Sequence, residues 1–357
     1  MKKKLKDFFV IILCLSACAL LCIKFETVSY AVVSALKLCA KTIIPSLFPF
    51  FVISDMLISC LNFDEKSFSA RIVLKIFNLP PCAVSAFVLG LISGYPVGAS
   101  VVMRLYENDL ISKDDAEHLI CLTNNSGPLF LICSVGCGMF GSMQIGIMLY
   151  AVHVFTALCM ALVAGRLHTV HGRSAKAFYT HFNLAKSVER GFMQCIKITG
   201  FVVFFAIVNE FVLKIADFIP LANKSPFAHA CLLSVFEMTN AVSRAAAILP
   251  LGNALCLTSF AAAWSGLSVL FQVKAVTKNV LSVKKYVKYK FFSGLAAAAI
   301  TASILKIGKN EFEIGFAYIG HCAAVIPFAL CIIISIVYCA KKRCRKTTSL
   351  QKNQFNI

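Results

Sequence analysis

Charge is scarce in this sequence. Only 14% of its 357 residues are charged, against about 25% in a soluble domain, while 59% are apolar. Too little polar surface is available for a water-soluble enzyme of ordinary type, and so apolar a chain is not intrinsically disordered. Acidic residues are the scarcest charge: 16 Asp and Glu stand against 35 Lys and Arg, a net charge of +19. The aromatic-and-basic interleaving of nucleic-acid binders is missing, so no nucleic-acid partner is expected. The basic residues fall instead in blocks between apolar stretches, as they do in the cytoplasmic loops of membrane proteins.

Chemical motifs are also missing. There are 17 cysteines but no C-x2-C pair with further ligands downstream, so no zinc site is expected. Most cysteines lie inside apolar runs, among them Cys14, Cys18, Cys22, Cys39, Cys133, Cys137, Cys159 and Cys331, where they act as small hydrophobes. So many free thiols argue against an oxidising compartment. His168 and His171 lack a third ligand nearby, and there is no nucleophile elbow or phosphate-binding glycine loop. Neither an enzymatic reaction nor a resident cofactor is expected.

What is present is apolar length. Mean hydropathy is +0.82. Apolar segments fall at 8–25, 29–60, 80–103, 119–140, 143–165, 192–219, 227–248, 252–273, 291–308 and 318–340. A bilayer core about 30 Å thick needs about 20 residues of helix. The basic start, the apolar run after it and Leu15-Ser16-Ala17-Cys18 resemble a signal peptide with a lipoprotein box. Because the rest of the chain is itself membrane-embedded, a first span with its start inside is expected.

Charge then limits topology. If all ten segments crossed, the loop holding Arg166, Arg173, Lys176, Lys186, Arg190 and Lys197 would lie outside, against the positive-inside rule. The best candidate for a non-crossing segment is 29–60, which is too long for one span and carries Pro45 and Pro49 one turn apart. A re-entrant hairpin is expected there. A second at 192–219 brings the loop with Lys274, Lys278, Lys284, Lys285, Lys288 and Lys290 inside, and leaves the tail of Lys341, Lys342, Arg343, Arg345 and Lys346 inside too. The expectation is all-α: a polytopic helical membrane protein with about eight spans and two re-entrant hairpins, in two inverted repeats with broken helices. Its units are an N-terminal span (1–28), a first repeat (29–165), a basic cytosolic loop (166–191), a second repeat (192–308), a last span (309–340) and a basic tail (341–357).

Two spans in the first half carry helix breakers. Ser93-Gly94-Tyr95-Pro96-Val97-Gly98 places two glycines and a proline within six residues, and Asn124-Asn125-Ser126-Gly127-Pro128 follows across a short loop. A break at membrane depth frees backbone N–H and C=O groups that lipid cannot satisfy, so such helices face a protein cavity. The second half offers Glu237-Met238-Thr239-Asn240, with Arg244 two turns on, and then Trp264-Ser265-Gly266 followed by Gln272. The two breaks are 30 residues apart in the first half (Gly94 to Asn124) and 28 in the second (Glu237 to Ser265). An acidic residue inside a span is by default a functional candidate, though Glu237 and Arg244 could also form a structural pair. Asp55 and Asn209-Glu210 are weaker candidates. Broken helices present N-termini that suit an anionic or carboxylate-bearing solute. Glu237 could hold a proton, hold a cation or bond a donor on the solute.

Residues 84–140, with SGYPVGA, LISKDDAEHL and NNSGPLFLICSVGCGMFG, resemble the sporulation integral membrane protein YlbJ (SpoVV) family, and EMTNA and FAAAWSGLSVLFQV resemble that family's second block. The likeness spans about 30–340 and departs at Ala241, where glycine is expected. The family belongs to the Gate group, which includes nucleoside-recognition domains. The resemblance implies a multi-pass protein of the mother-cell membrane around the forespore; the charge pattern above puts both termini in the cytoplasm. The resemblance also implies a part in passage of dipicolinic acid towards the spore core. By that likeness the solute-binding residues are Gly94, Tyr95, Pro96, Gly98, Asn124, Asn125, Ser126, Gly127 and Pro128, with Glu237, Thr239, Asn240, Ser265 and Gly266 following; Arg244 joins them from its place on the Glu237 face. Expected partners are the bilayer, a small carboxylate solute, and a second copy or other sporulation membrane proteins. The competing reading is a scaffold or assembly factor that moves no solute.

Overall fold

The computed structural model describes residues 2–60, 77–78, 83–168, 183–216 and 225–307. The expected last span, the basic tail, His171 and most of the basic loop lie outside the described residues. Every regular element among them is helical. In chain order these are α1 (Lys2–Ile23), α2 (Phe25–Leu38), a π-helical turn (Cys39–Ile43), α3 (Ile44–Cys60), α4 (Ala83–Ser93) and α5 (Val97–Glu107). Then come α6 (Lys113–Thr123), the π-helical α7 (Leu129–Cys137), α8 (Met143–Leu167), α9 (Leu184–Ala216) and α10 (Pro226–Phe236). The last four are α11 (Met238–Ile248), α12 (Leu251–Trp264), α13 (Gly266–Val276) and α14 (Lys284–Ile307).

Caps fix several starts. Ser112 accepts from Asp115 N to begin α6, with Asp114 and Asp115 in the first turn, where the helix dipole favours negative charge. Ser142 caps α8, and Ser225 with Pro226 at the first helical position caps α10.

Neither expected hairpin is present. The chain stays helical from Phe25 to Cys60, and the π turn just before Pro45 accommodates the proline without reversing it. Residues 192–216 belong to α9, an unbroken helix of 33 residues, about 50 Å long. These long helices run antiparallel. At one end Asp55 accepts from Ser187 at 2.9 Å and pairs with Arg190 at 3.1 Å. At the other, Lys214 Nζ lies 3.1 Å from Thr27 Oγ1. A hairpin at 45–49 would have returned Asp55 to the Thr27 end.

The fold-back occurs one element later. A Cβ built on Gly90 would lie 1.6 Å from the Thr123 carbonyl oxygen, and one on Gly98 would lie 1.9 Å from it. Two residues eight apart touch the same atom only if α4 and α5 fold onto each other about Gly94. Residues 83–103 are therefore a hairpin rather than a crossing span. In the second half α10 and α11 likewise pack against each other about Glu237, and Leu233 and Ala241 share one small core cluster. Ala241 is fully buried inside α11, so a turn is not made there.

Each half thus has the same order of parts: a long helix, a fold-back pair, a broken helix and a second long helix. Met143–Arg166, Leu184–Ile215, Leu251–Val276 and Lys284–Ile307 are each long and apolar enough to cross a membrane. Charged contacts gather at one end, where Glu107 meets Lys278 at 2.7 Å, Asp115 meets His168 at 2.7 Å, and Glu117 accepts from Ser282 N at 2.9 Å. His168 is thereby accounted for, since it also stacks on His118 at 4.1 Å.

Candidate functional site

The four breaks meet in pairs. Gly94, at φ +74°, crosses Gly127 so closely that a Cβ on Gly94 would lie 2.7 Å from the Gly127 nitrogen. Only glycine fits both the backbone angle and the contact. In the second half Gly266, at φ +79°, crosses the Phe236–Glu237 joint, with its hypothetical Cβ 3.0 Å from the Phe236 oxygen. Ser265 is left-handed as well, at φ 69°. The two crossings correspond: Gly94 on Gly127, and Glu237 on Gly266.

Breaking a helix strands carbonyls, and each half supplies donors to cover them. Ending α12 at Trp264 frees the Ala262 oxygen. It accepts from Tyr95 Oη at 2.8 Å and Ser126 Oγ at 3.0 Å, both from the first half. Leu91 at the end of α4 accepts from Tyr150, Leu122 from Asn125 Nδ2, and Val235 from Trp264 Nε1. The halves are therefore joined through the groups that the breaks expose.

A cavity of about 40 Å³ lies between the crossings, lined by Gly94, Tyr95, Ser126 and Gly127 from one half and Glu237, Thr239 and Gln272 from the other. It has room for a few waters at most, so the centre is closed around no more than water. Ser93 Oγ, on its wall, has no hydrogen-bond partner among the described residues.

Most of the expected site residues are brought together, though in differing roles. Asn124, Asn125, Ser126 and Gly127 form the buried crossing, while Pro128 leads into α7. Asn124 and Asn125 do not line the cavity. Asn124 Nδ2 donates to Tyr286 Oη at 2.8 Å, and Asn125 Oδ1 accepts from Lys290 Nζ at 3.1 Å. Pro96 and Gly98 open α5, with Gly98 against Thr123. Ser265 reaches Tyr286 Oη at 3.5 Å. Glu237 caps α11: its two carboxylate oxygens accept from Thr239 N at 2.9 Å and Asn240 N at 2.7 Å. The structural pair with Arg244 is not formed, because Arg244 is exposed. Arg244 is thus outside the site, and Asn240 is half-buried beside it.

Sequence reasoning missed a buried lysine beside the crossings. Lys290 was grouped with a cytosolic loop, yet it lies in α14, 1% exposed. Its ammonium sits 5.6 Å from the Tyr95 ring centre and 5.9 Å from those of Tyr286 and Tyr289. Cation–π attraction to three rings and one amide bond hold it. Among the described residues no carboxylate pairs with it. The signal was in the sequence: Tyr286 and Lys290 are four apart on one helical face, at the head of the run FFSGLAAAAI. His153 was missed too; its Nε2 accepts from Ser126 N at 3.0 Å.

No family model matches the chain, and no solved structure matches it. It is similar to the sporulation integral membrane protein YlbJ of Bacillus subtilis (strain 168), with 26% identity over 309 residues covering 74% of each chain. That likeness agrees with the four apolar helices long enough to span, and this chain is an integral membrane protein.

Proposed function

We propose that the protein is a transporter or channel for a small carboxylate anion, acting in spore formation in the mother-cell membrane around the forespore, with dipicolinic acid as its solute. One observation carries the reading: beside the Gly94–Gly127 crossing stands a fully buried lysine that bonds Asn125 and, among the described residues, meets no carboxylate. A buried charge is costly unless a partner arrives, and inside a membrane such a group is functional by default. The N-termini of α5, α7, α11 and α13 start at the same crossings and add partial positive charge. Glu237 offsets that of α11, leaving Lys290 and the other three for an anion. The relative's name supports the sporulation context. The end that carries the basic loops is assigned to the cytosol by the positive-inside rule. The 40 Å³ centre is then a closed state, which opens for each solute.

The test is dipicolinate content of spores from a strain lacking the gene, complemented with wild type, Lys290→Met or Glu237→Gln at matched protein level. Wild type restores dipicolinate and Lys290→Met does not. Normal dipicolinate in the uncomplemented null refutes the reading and leaves a scaffold.

A further inference from the structure

A second, larger cavity opens at the charged end of the bundle, with a volume of about 440 Å³. Its charged lining is Asp55 from α3, Arg104 from α5, and Lys186, Glu189, Arg190 and Lys197 from α9. Four cations thus face two carboxylates. Asp55 is engaged by Arg190 at 3.1 Å and by Arg104 at 3.7 Å. Lys186, Lys197 and Glu189 remain, so the cavity keeps a net positive charge carried by the two ammonium groups. The volume is in the range of small-molecule sites.

The same three elements wall both cavities. Along α3 and the π turn before it, the lining passes from Phe51 in the outer cavity to Leu47 and Ile43 in the inner one, one turn at a time. On α9 it passes from Lys197 to Ile198 and Val202, and at the α4–α5 hairpin from Val97 to Tyr95. The outer cavity is therefore continuous along its walls with the closed centre, and the apolar side chains of Phe51, Leu47 and Val97 stand between them.

We propose that the outer cavity is a docking vestibule for a carboxylate anion, held by Lys186 and Lys197, on the route to the Lys290 centre. Arg104 and Arg190, tethered by Asp55, form its fixed floor. The vestibule rests on the transport reading for its place on a route, but not for its ability to bind. It makes the α3–α5–α9 seam the path of entry, and the Asp55–Arg104 pair a tie between the hairpin and the long helices that must yield when the centre opens.

The experiment uses the full chain in nanodiscs and in liposomes. Pyridine-2,6-dicarboxylate binding is measured by equilibrium dialysis, and flux by luminescence of trapped terbium. Wild type binds, and Lys186→Gln/Lys197→Gln weakens binding about tenfold and raises the half-saturating concentration for flux by a similar factor. Lys290→Met keeps vestibule binding and loses flux. Unchanged binding in the double variant overturns the vestibule whatever the flux. Weakened binding in that variant, with no flux from wild type, upholds the vestibule and overturns transport. Both lysines are exposed, so the double variant folds.

Discussion

Gly90→Ala is the sharpest test of the hairpin. The added carbon would start 1.6 Å from the Thr123 carbonyl oxygen, and both sides of that contact are backbone. A carbon needs about 3.5 Å from a neighbouring heavy atom, so α4 or the end of α6 must move by about 1.5–2 Å. Overpacking of this kind costs about 1–3 kcal/mol. The helix gains back about 0.5–1 kcal/mol from losing a mid-helix glycine, which leaves a net loss. The displacement is also passed to the Gly94–Gly127 crossing, where the added carbon on Gly94 would already lie 2.7 Å from backbone. Gly200→Ala in α9 is the control: nothing lies within 4 Å of its added carbon, so only the helical gain acts. Thermal unfolding of the purified chain should therefore move down for Gly90→Ala and level or up for Gly200→Ala, and solute flux should be lost only in the first. Wild-type unfolding and flux in Gly90→Ala would refute the packing of α4, α5 and α6 described above.

Other substitutions separate the roles around the centre. Tyr286→Phe removes the partner of Asn124 Nδ2 and should cost about 1 kcal/mol, read as a lower unfolding temperature. Glu237→Gln keeps one acceptor for the α11 cap, so it should lose about 1 kcal/mol or less while staying folded; complete unfolding would show that the charge does more than cap. Asp55→Asn frees Arg104 and Arg190 in a partly solvated pocket. It should change stability by less than about 1 kcal/mol and tighten dicarboxylate binding at low salt, an effect that disappears at high salt.

The elements that break were legible because breaking a helix takes glycine, proline or polar side chains, and these stand out in apolar runs. Gly94, Asn124, Glu237 and Ser265 were all found that way. What the breaks do was harder to read. By sequence alone Gly94-Tyr95-Pro96 reads as a break in a crossing span, and Pro45 with Pro49 as a reversal; the structure inverts the two. Proline removes one helical hydrogen bond without forcing a reversal, and here the helix runs on through Pro49 after the π turn at Cys39–Ile43. A true reversal needs a close backbone approach on both limbs, and the glycines flanking Gly94 at equal distance, Gly90 and Gly98, were that signal. Lys290 was hidden for a different reason: charge counting assigns every lysine in a block to water, and one helical turn carries this one inside.

The exchange of hairpins leaves the charge argument standing, and this yields a last prediction. Converting 29–60 from a reversal into a crossing shifts the parity of everything after it, and converting 83–107 from a crossing into a reversal shifts it back. Downstream loops keep their sides; only the stretch between the two segments changes side. The contacts agree, because Asn78 donates to the His168 carbonyl at 2.5 Å, at the end shared by Asp115, Arg190 and Lys278. A reporter inserted after Asn78 should therefore behave as one inserted beside Lys278 does, both active in the cytosol. A hairpin at Pro45–Pro49 puts the two insertions on opposite sides. Opposite behaviour would return the reversal to the prolines, and would separate Asp55 from Arg190 by the thickness of the bilayer.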